Sequence, residues 1–166
     1  LRFASTKNVA AFKEDPDKYL AKVNAAIIAQ QKPLYPLTTC MVSGEALDGD
    51  MGEAVDLVYG NRLVRFCCKS CVGEFNKDPA KYLATLDAAV IKAQKKDAQG
   101  ATCPVSGDKV GGDMGEPVDY VVGNRLLQFC CKDCVKMFEK NPAKYLAKVH
   151  HAADTKQHEH GAHHGQ

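Results

Sequence analysis

The chain has 166 residues, of which 45% are hydrophobic, 25% charged and 7% aromatic, a mixture that excludes whole-chain disorder and collagen-like fibre. Its 22 basic and 20 acidic residues are scattered and leave a net charge of +2, so no basic field points to nucleic acid. Apolar runs such as Ala25-Ala26-Ile27-Ile28-Ala29 fall short of the about 20 residues a membrane-spanning helix needs.

In chain order, the first predicted element is a helical region in which Tyr19, Leu20, Val23 and Ile27 recur at helical spacing, a stripe expected to face a core. A Pro-marked linker follows at Lys32 to Leu37. The stretch TTCMVSGEALDGDMG then breaks regular structure with Gly, Ser and Asp. Two β-type runs, Ala54 to Tyr59 and Arg62 to Cys67, flank Gly60-Asn61, a hairpin signal because both turn residues tolerate positive φ. A short helix is predicted from about Lys69 to Asn76, and Asp78-Pro79 restarts the chain as an N-cap and first helical residue. The next helix carries Tyr82, Leu83, Leu86 and Val90, and a second linker spans Lys96 to Ala101.

From there the pattern begins again. Cys40, Cys67, Cys68 and Cys71 recur as Cys103, Cys130, Cys131 and Cys134 at a spacing of 63 positions. The segments Gly49 to Ala84 and Gly112 to Ala147 match without insertion at roughly two-thirds of positions, the mark of a duplication. Arg2 to Ala21 fits the same template, with Phe12, Pro16, Tyr19 and Leu20 in place but Ala4, Ser5 and Asn8 where Cys67, Cys68 and Cys71 stand. The predicted organisation is a partial, cysteine-free first repeat at residues 1–31, full units at 38–96 and 101–154, and a His-rich flexible tail at 155–166. The first copy is expected to be metal-free and held by packing of Phe12, Tyr19, Leu20 and Val23 on the following unit. Units of about 60 residues are near the lower limit for an independent core, so each should need a staple.

The eight thiols can supply one. Within each unit the order is Cys-x26-Cys-Cys-x2-Cys, with the last three between a strand end and a helix start. Thiolates at a helix N-terminus gain from its partial positive charge, and a soft thiolate set selects Zn²⁺ or Cu⁺ over Mg²⁺ or Ca²⁺. Cys40, Cys67 and Cys71 are expected to bind one ion and Cys103, Cys130 and Cys134 another, with Cys68 and Cys131 as fourth ligands. Disulfides are the competing reading of an even number of cysteines. Thiol redox catalysis is a third, although Cys68-Lys69-Ser70-Cys71 lacks a βαβ context.

The sequence resembles the YHS domain, a relative of TRASH-type treble-clef fingers of heavy-metal trafficking, resistance and sensing. The carrying residues are CMVSG and CPVSG, the pattern from Phe66-Cys67 to Cys71 and from Phe129-Cys130 to Cys134, and the trailing F-x3-P-x2-YL. The resemblance implies an α+β architecture of tandem small treble-clef-like units, each a β-hairpin followed by two helices, and metal ions as the ligands. Members of that family often carry an acidic residue at the positions of Cys40 and Cys103 and Cys at those of Ser43 and Ser106, so the first ligand is displaced by three positions here. Cys68 and Cys131 are optional in the family.

All six His lie beyond Val149. His158, His160, His163 and His164 sit in a polar tail that either gathers Zn, Cu or Ni weakly or is simply solvated. Met51 and Met114, each in GDMGE, read as loop-packing residues rather than Cu⁺ ligands, and Asp56 and Asp119 as outward-facing strand residues. No Ser-His-Asp set, phosphate loop or HExxH is present, so the sequence points to a Zn- or Cu-class metal-binding protein without enzymatic turnover, for trafficking, storage or resistance. Its alternative is a structural or interaction subunit whose cysteines form zinc sites or disulfides and which packs on a larger assembly. The absent initiator Met and the His-rich tail suggest a processed chain in an extracytoplasmic, periplasmic setting.

Overall fold

Polar caps set the helix boundaries. In the computed structural model, which describes residues 5–49, 52–98, 100–111, 115–147 and 149, Ser5 Oγ accepts the Asn8 N–H at 3.3 Å and starts helix α1, Thr6–Glu14. Asp15 ends α1, and its carboxylate accepts the Lys18 N–H at 3.1 Å to cap α2, Pro16–Gln31. The same Asp-Pro device separates α3, Lys69–Lys77, from α4, Pro79–Gln94, where Asp78 accepts from the Lys81 N–H at 3.2 Å. After α5, Lys132–Lys140, residues 142–147 are again helical.

Two antiparallel hairpins complete the mixed helix and strand content. Strand β1, Val55–Tyr59, pairs with β2, Arg62–Phe66, in the register Val55 to Phe66 and Tyr59 to Arg62. Strand β3, Val118–Val122, pairs with β4, Arg125–Phe129. Both turns have two consecutive positive φ angles, 55° and 66° at Gly60-Asn61 and 53° and 60° at Gly123-Asn124. This is the geometry of a two-residue turn that suits the twist of its strands.

Contacts gather the chain into two units, one running to Val90 and including Gly123–Arg125, the other formed by Ile91–Val122 and the chain from Leu126. In the first, β2 is buried on both faces, with Leu63, Val64 and Phe66 fully enclosed. Phe75 of α3 lies 5.3 Å from both Phe66 and Tyr59 and 6.1 Å from Tyr82 of α4. Helix α2, from the cysteine-free copy, packs on β1 and β2. Its Gln31 accepts the Leu63 N–H at 2.8 Å and donates to the Asn61 carbonyl at 2.9 Å. Also in this unit, the Asn124 amide donates to the Leu63 carbonyl at 2.8 Å and accepts from Arg62 Nε at 2.7 Å.

In the second unit, Val110, Leu127, Phe129 and Phe138 surround Cys103, Cys130 and Cys134 in one buried cluster. Tyr120, Tyr145, Leu146 and Val149 pack on it from outside. Gln94 repeats the role of Gln31, accepting the Leu126 N–H at 2.8 Å.

Three expectations need correction. The apolar stripe is core in α4, where Leu86 and Val90 are fully buried, but α2 buries no residue completely and Leu20 is 38% exposed. Phe75 packs on the hairpin before it, whereas Phe12, its template equivalent, is half-buried with Tyr19 at 6.3 Å. Nor do Asp56 and Asp119 face outward. Asp56 receives Arg65 Nε at 2.8 Å from the opposite strand, and Asp119 receives Gln128 Nε2 at 2.9 Å and Lys95 at 3.3 Å. Each is the acceptor for a buried polar side chain on its partner strand. Finally, the linker at Lys32 to Leu37 does more than connect: it docks Tyr35, whose hydroxyl accepts the Arg65 N–H at 3.2 Å, and burial of that phenol pushes it up to about 12. Met51, Met114 and the tail histidines lie outside the described residues.

Candidate metal centres

Three short elements deliver three sulfurs to one point in each unit. The first comes from a tight turn: the Cys40 N–H donates to the Glu45 carbonyl at 2.7 Å and the Gly44 N–H to the Cys40 carbonyl at 2.8 Å. A bridge between Thr39 and Ala46 closes this loop, and Gly44 adopts the φ of +81° that such a reversal requires. Cys103, Asp108, Gly107, Thr102 and Lys109 reproduce the turn. The second sulfur, Cys67 or Cys130, follows the last residue of β2 or β4, and the third, Cys71 or Cys134, lies in the first turn of α3 or α5.

The sulfurs of Cys40, Cys67 and Cys71 all lie within 4.8 Å of one another, as do those of Cys103, Cys130 and Cys134. Cys67 and Cys71 are 3.8 Å apart and Cys130 and Cys134 3.5 Å. A tetrahedral zinc site with Zn–S bonds near 2.3 Å places its sulfurs about 3.8 Å apart, so the donor set fits one thiophilic ion per cluster. All six thiols are buried and free. Each cluster is three-way rather than an assembly of bonded pairs.

Cys68 and Cys131, the predicted fourth ligands, occupy the N-cap positions of α3 and α5 and are only half-buried. Cys68 Sγ is 3.8 Å from Cys67 and 3.6 Å from Cys71, and Cys131 Sγ is 3.9 Å from Cys130.

The thiols are electrostatically unequal. Burial pushes Cys40 up, but the backbone N–H groups of Ser43, Cys67 and Val42 outweigh it and bring that thiol down to about 7. Cys103 also feels burial, and the Ser106 hydroxyl with the amides of Ser106, Cys130 and Val105 carries it down to about 6. Cys68 falls to about 6 through the Ser70 hydroxyl, 3.0 Å away, and the Cys71 amide and thiol. Cys131 is lowered, chiefly by the Cys134 amide. Cys71 moves the opposite way, pushed up to about 12 by burial and by donating its proton towards the neighbouring sulfurs; Cys134 is raised for the same reason. Each cluster therefore combines ready thiolates with a thiol whose proton an arriving cation can replace.

Sequence reasoning did not single out Ser43 and Ser106 as site residues. Their hydroxyls stand 3.2 Å from Cys67 Sγ and 3.5 Å from Cys130 Sγ and accept the Glu45 and Asp108 N–H groups at 3.3 Å. Their recurrence three positions after each first cysteine was the available signal. Comparison with protein-family models, curated proteins and solved structures finds no match for this chain.

Proposed function

We propose that this is a metal-binding protein that holds one thiophilic ion, Zn²⁺ or Cu⁺, in each of two repeated cysteine clusters, and that it serves trafficking, storage or resistance rather than catalysis. The observation that carries the reading is the convergence of three buried sulfurs within 4.8 Å, made twice by the same turn, strand end and helix start. Random burial of thiols has no reason to repeat that geometry. The amides directed at Cys40 and Cys103 add support, since they stabilise the thiolate form that a metal needs.

The resemblance to YHS and TRASH-type treble-clef units fits the same reading. It is supported by the hairpin-then-helix order of the chain and by Ser43 and Ser106, which stand at the positions where that family often has Cys and adjoin the clusters. The extracytoplasmic setting belongs to this proposal. Among the described residues no helix is long and apolar enough to cross a membrane.

A second reading is a structural zinc protein that packs on a larger assembly. It is favoured by the position of Cys103, Cys130 and Cys134 inside the hydrophobic core of their unit. Metal analysis and free-thiol counting on anaerobically prepared protein test the proposal. Two equivalents per chain are expected, and protein that contains no metal and binds none under reducing conditions refutes it. Transfer of the ions to a competing thiol within minutes while the chain stays folded marks a trafficking site, whereas release only on unfolding marks a structural one.

A further inference from the structure

The doublet cysteines differ from the trio in one respect that bears on ion movement. The trio sulfurs belong to residues no more than 7% exposed, whereas Cys68 and Cys131 reach solvent. A competing ligand in solution therefore meets Cys68 or Cys131 before any other sulfur of the cluster. Cys68 is also close enough to share an ion with the trio, since its distances of 3.8 Å and 3.6 Å to Cys67 and Cys71 match the spacing of two sulfurs on one metal. Its position is fixed by the start of α3, and the Ser70 hydroxyl holds the sulfur at 3.0 Å.

On the basis of the metal reading above, we infer that Cys68 and Cys131 are relay ligands, through which an ion passes between solvent and the buried trio. In uptake, a bond from the Cys68 sulfur to the ion forms as a bond from the donor ligand breaks. Bonds to the trio then form as the Cys68–ion bond breaks and as Cys67 and Cys71 lose their protons to water or to the departing donor thiolate. The ion keeps its oxidation state throughout, and release retraces the same steps. A relay of this kind changes rates in both directions and leaves the equilibrium in place.

Replacement by Ser suits the test, because the first copy carries Ser5 at the template position of Cys68 and that residue caps α1 through the Asn8 N–H. The full chain carrying Cys68→Ser and Cys131→Ser is compared with the parent for Zn²⁺ stoichiometry, for the equilibrium of competition with a soluble dithiol, and for the rates of uptake and release. Two equivalents and an unchanged equilibrium are expected, with both rates lowered by about tenfold, equivalent to a barrier higher by about 1.4 kcal/mol. Weaker binding with faster release would make these thiols permanent fourth ligands and overturn the relay. Unchanged rates would make them bystanders and overturn it equally. The metal reading fails separately, through a parent chain that binds no Zn²⁺.

Discussion

Cys71 and Cys40 are shifted in opposite directions along the pH scale, yet both tie metal binding to the loss of a proton. Cys71, pushed up to about 12, carries a proton at neutral pH, so binding must expel it. Cys40, brought down to about 7, is largely ionised above that value and protonated below it. Zn²⁺ affinity should thus rise with pH across the neutral range and fall more steeply below about 7 at the first cluster, where Cys40 adds a further proton to those that Cys67 and Cys71 must lose, and below about 6 at Cys103 in the second. Competition titrations at several pH values with proton counting check this, and a pH-independent affinity would contradict it. Metal-free protein gives the complementary sign. The folded chain retains the Cys71 proton that the unfolded chain loses near 9, so that thiol's contribution to stability is intact below pH 9 and declines as pH rises towards 12. Denaturant unfolding of reduced, metal-free chain at pH 8 and pH 10.5 should show the decline, offset in part by the lowered thiols.

At the scale of elements, the joint between helix and hairpin is specific. Gln31 satisfies the amide of Leu63, a fully buried residue, and Gln94 does so for Leu126. Gln31→Ala should cost about 1–3 kcal/mol, the penalty for leaving a buried donor unpaired, and urea unfolding measures it. The aromatic layer gives a graded pair of outcomes. Phe75 is fully enclosed by Phe66, Tyr59 and Tyr82, so Phe75→Ala should cost about 3–5 kcal/mol. Tyr19, half-buried on a helix with no fully buried residue, should cost below about 2 kcal/mol when replaced by Ala. Equal costs at the two positions would show that the first copy is as tightly packed as the second.

For the whole molecule, duplication predicts independent sites. Cys40→Ser with Cys71→Ser should leave one tight equivalent of Zn²⁺ per chain, bound through Cys103, Cys130 and Cys134, as read by anaerobic titration. Loss of both equivalents would mean that neither site forms without the other. The tail enters at this scale too. Deleting Gln157 to Gln166 should preserve both tight equivalents and remove only a weak class that fades as pH drops through about 6.5, where imidazole gains its proton.

Much of this architecture was legible in one dimension because its determinants are local. Gly60-Asn61 imposes a turn through the φ preferences of two residues, Asp15-Pro16 and Asp78-Pro79 restart helices through a single side chain and a single ring, and the 63-residue repeat fixes which cysteines correspond. The spacing also named the thiols that converge. Depth was not legible, because it depends on what else is packed nearby. The stripe in α2 has the same periodicity as that in α4, yet Leu86 and Val90 of α4 are fully buried while α2 buries no residue completely, and no local pattern encodes that difference. Gln31 and Gln94 belong to no sequence motif and Tyr35 reads as part of a linker, because their partners lie 30 or 32 positions away. The separation of each cysteine set into a buried trio and a half-exposed neighbour likewise arose only when the turn at Cys40 closed over the start of α3. Sequence set the chemistry of the donors, and tertiary packing decided which of them water can reach.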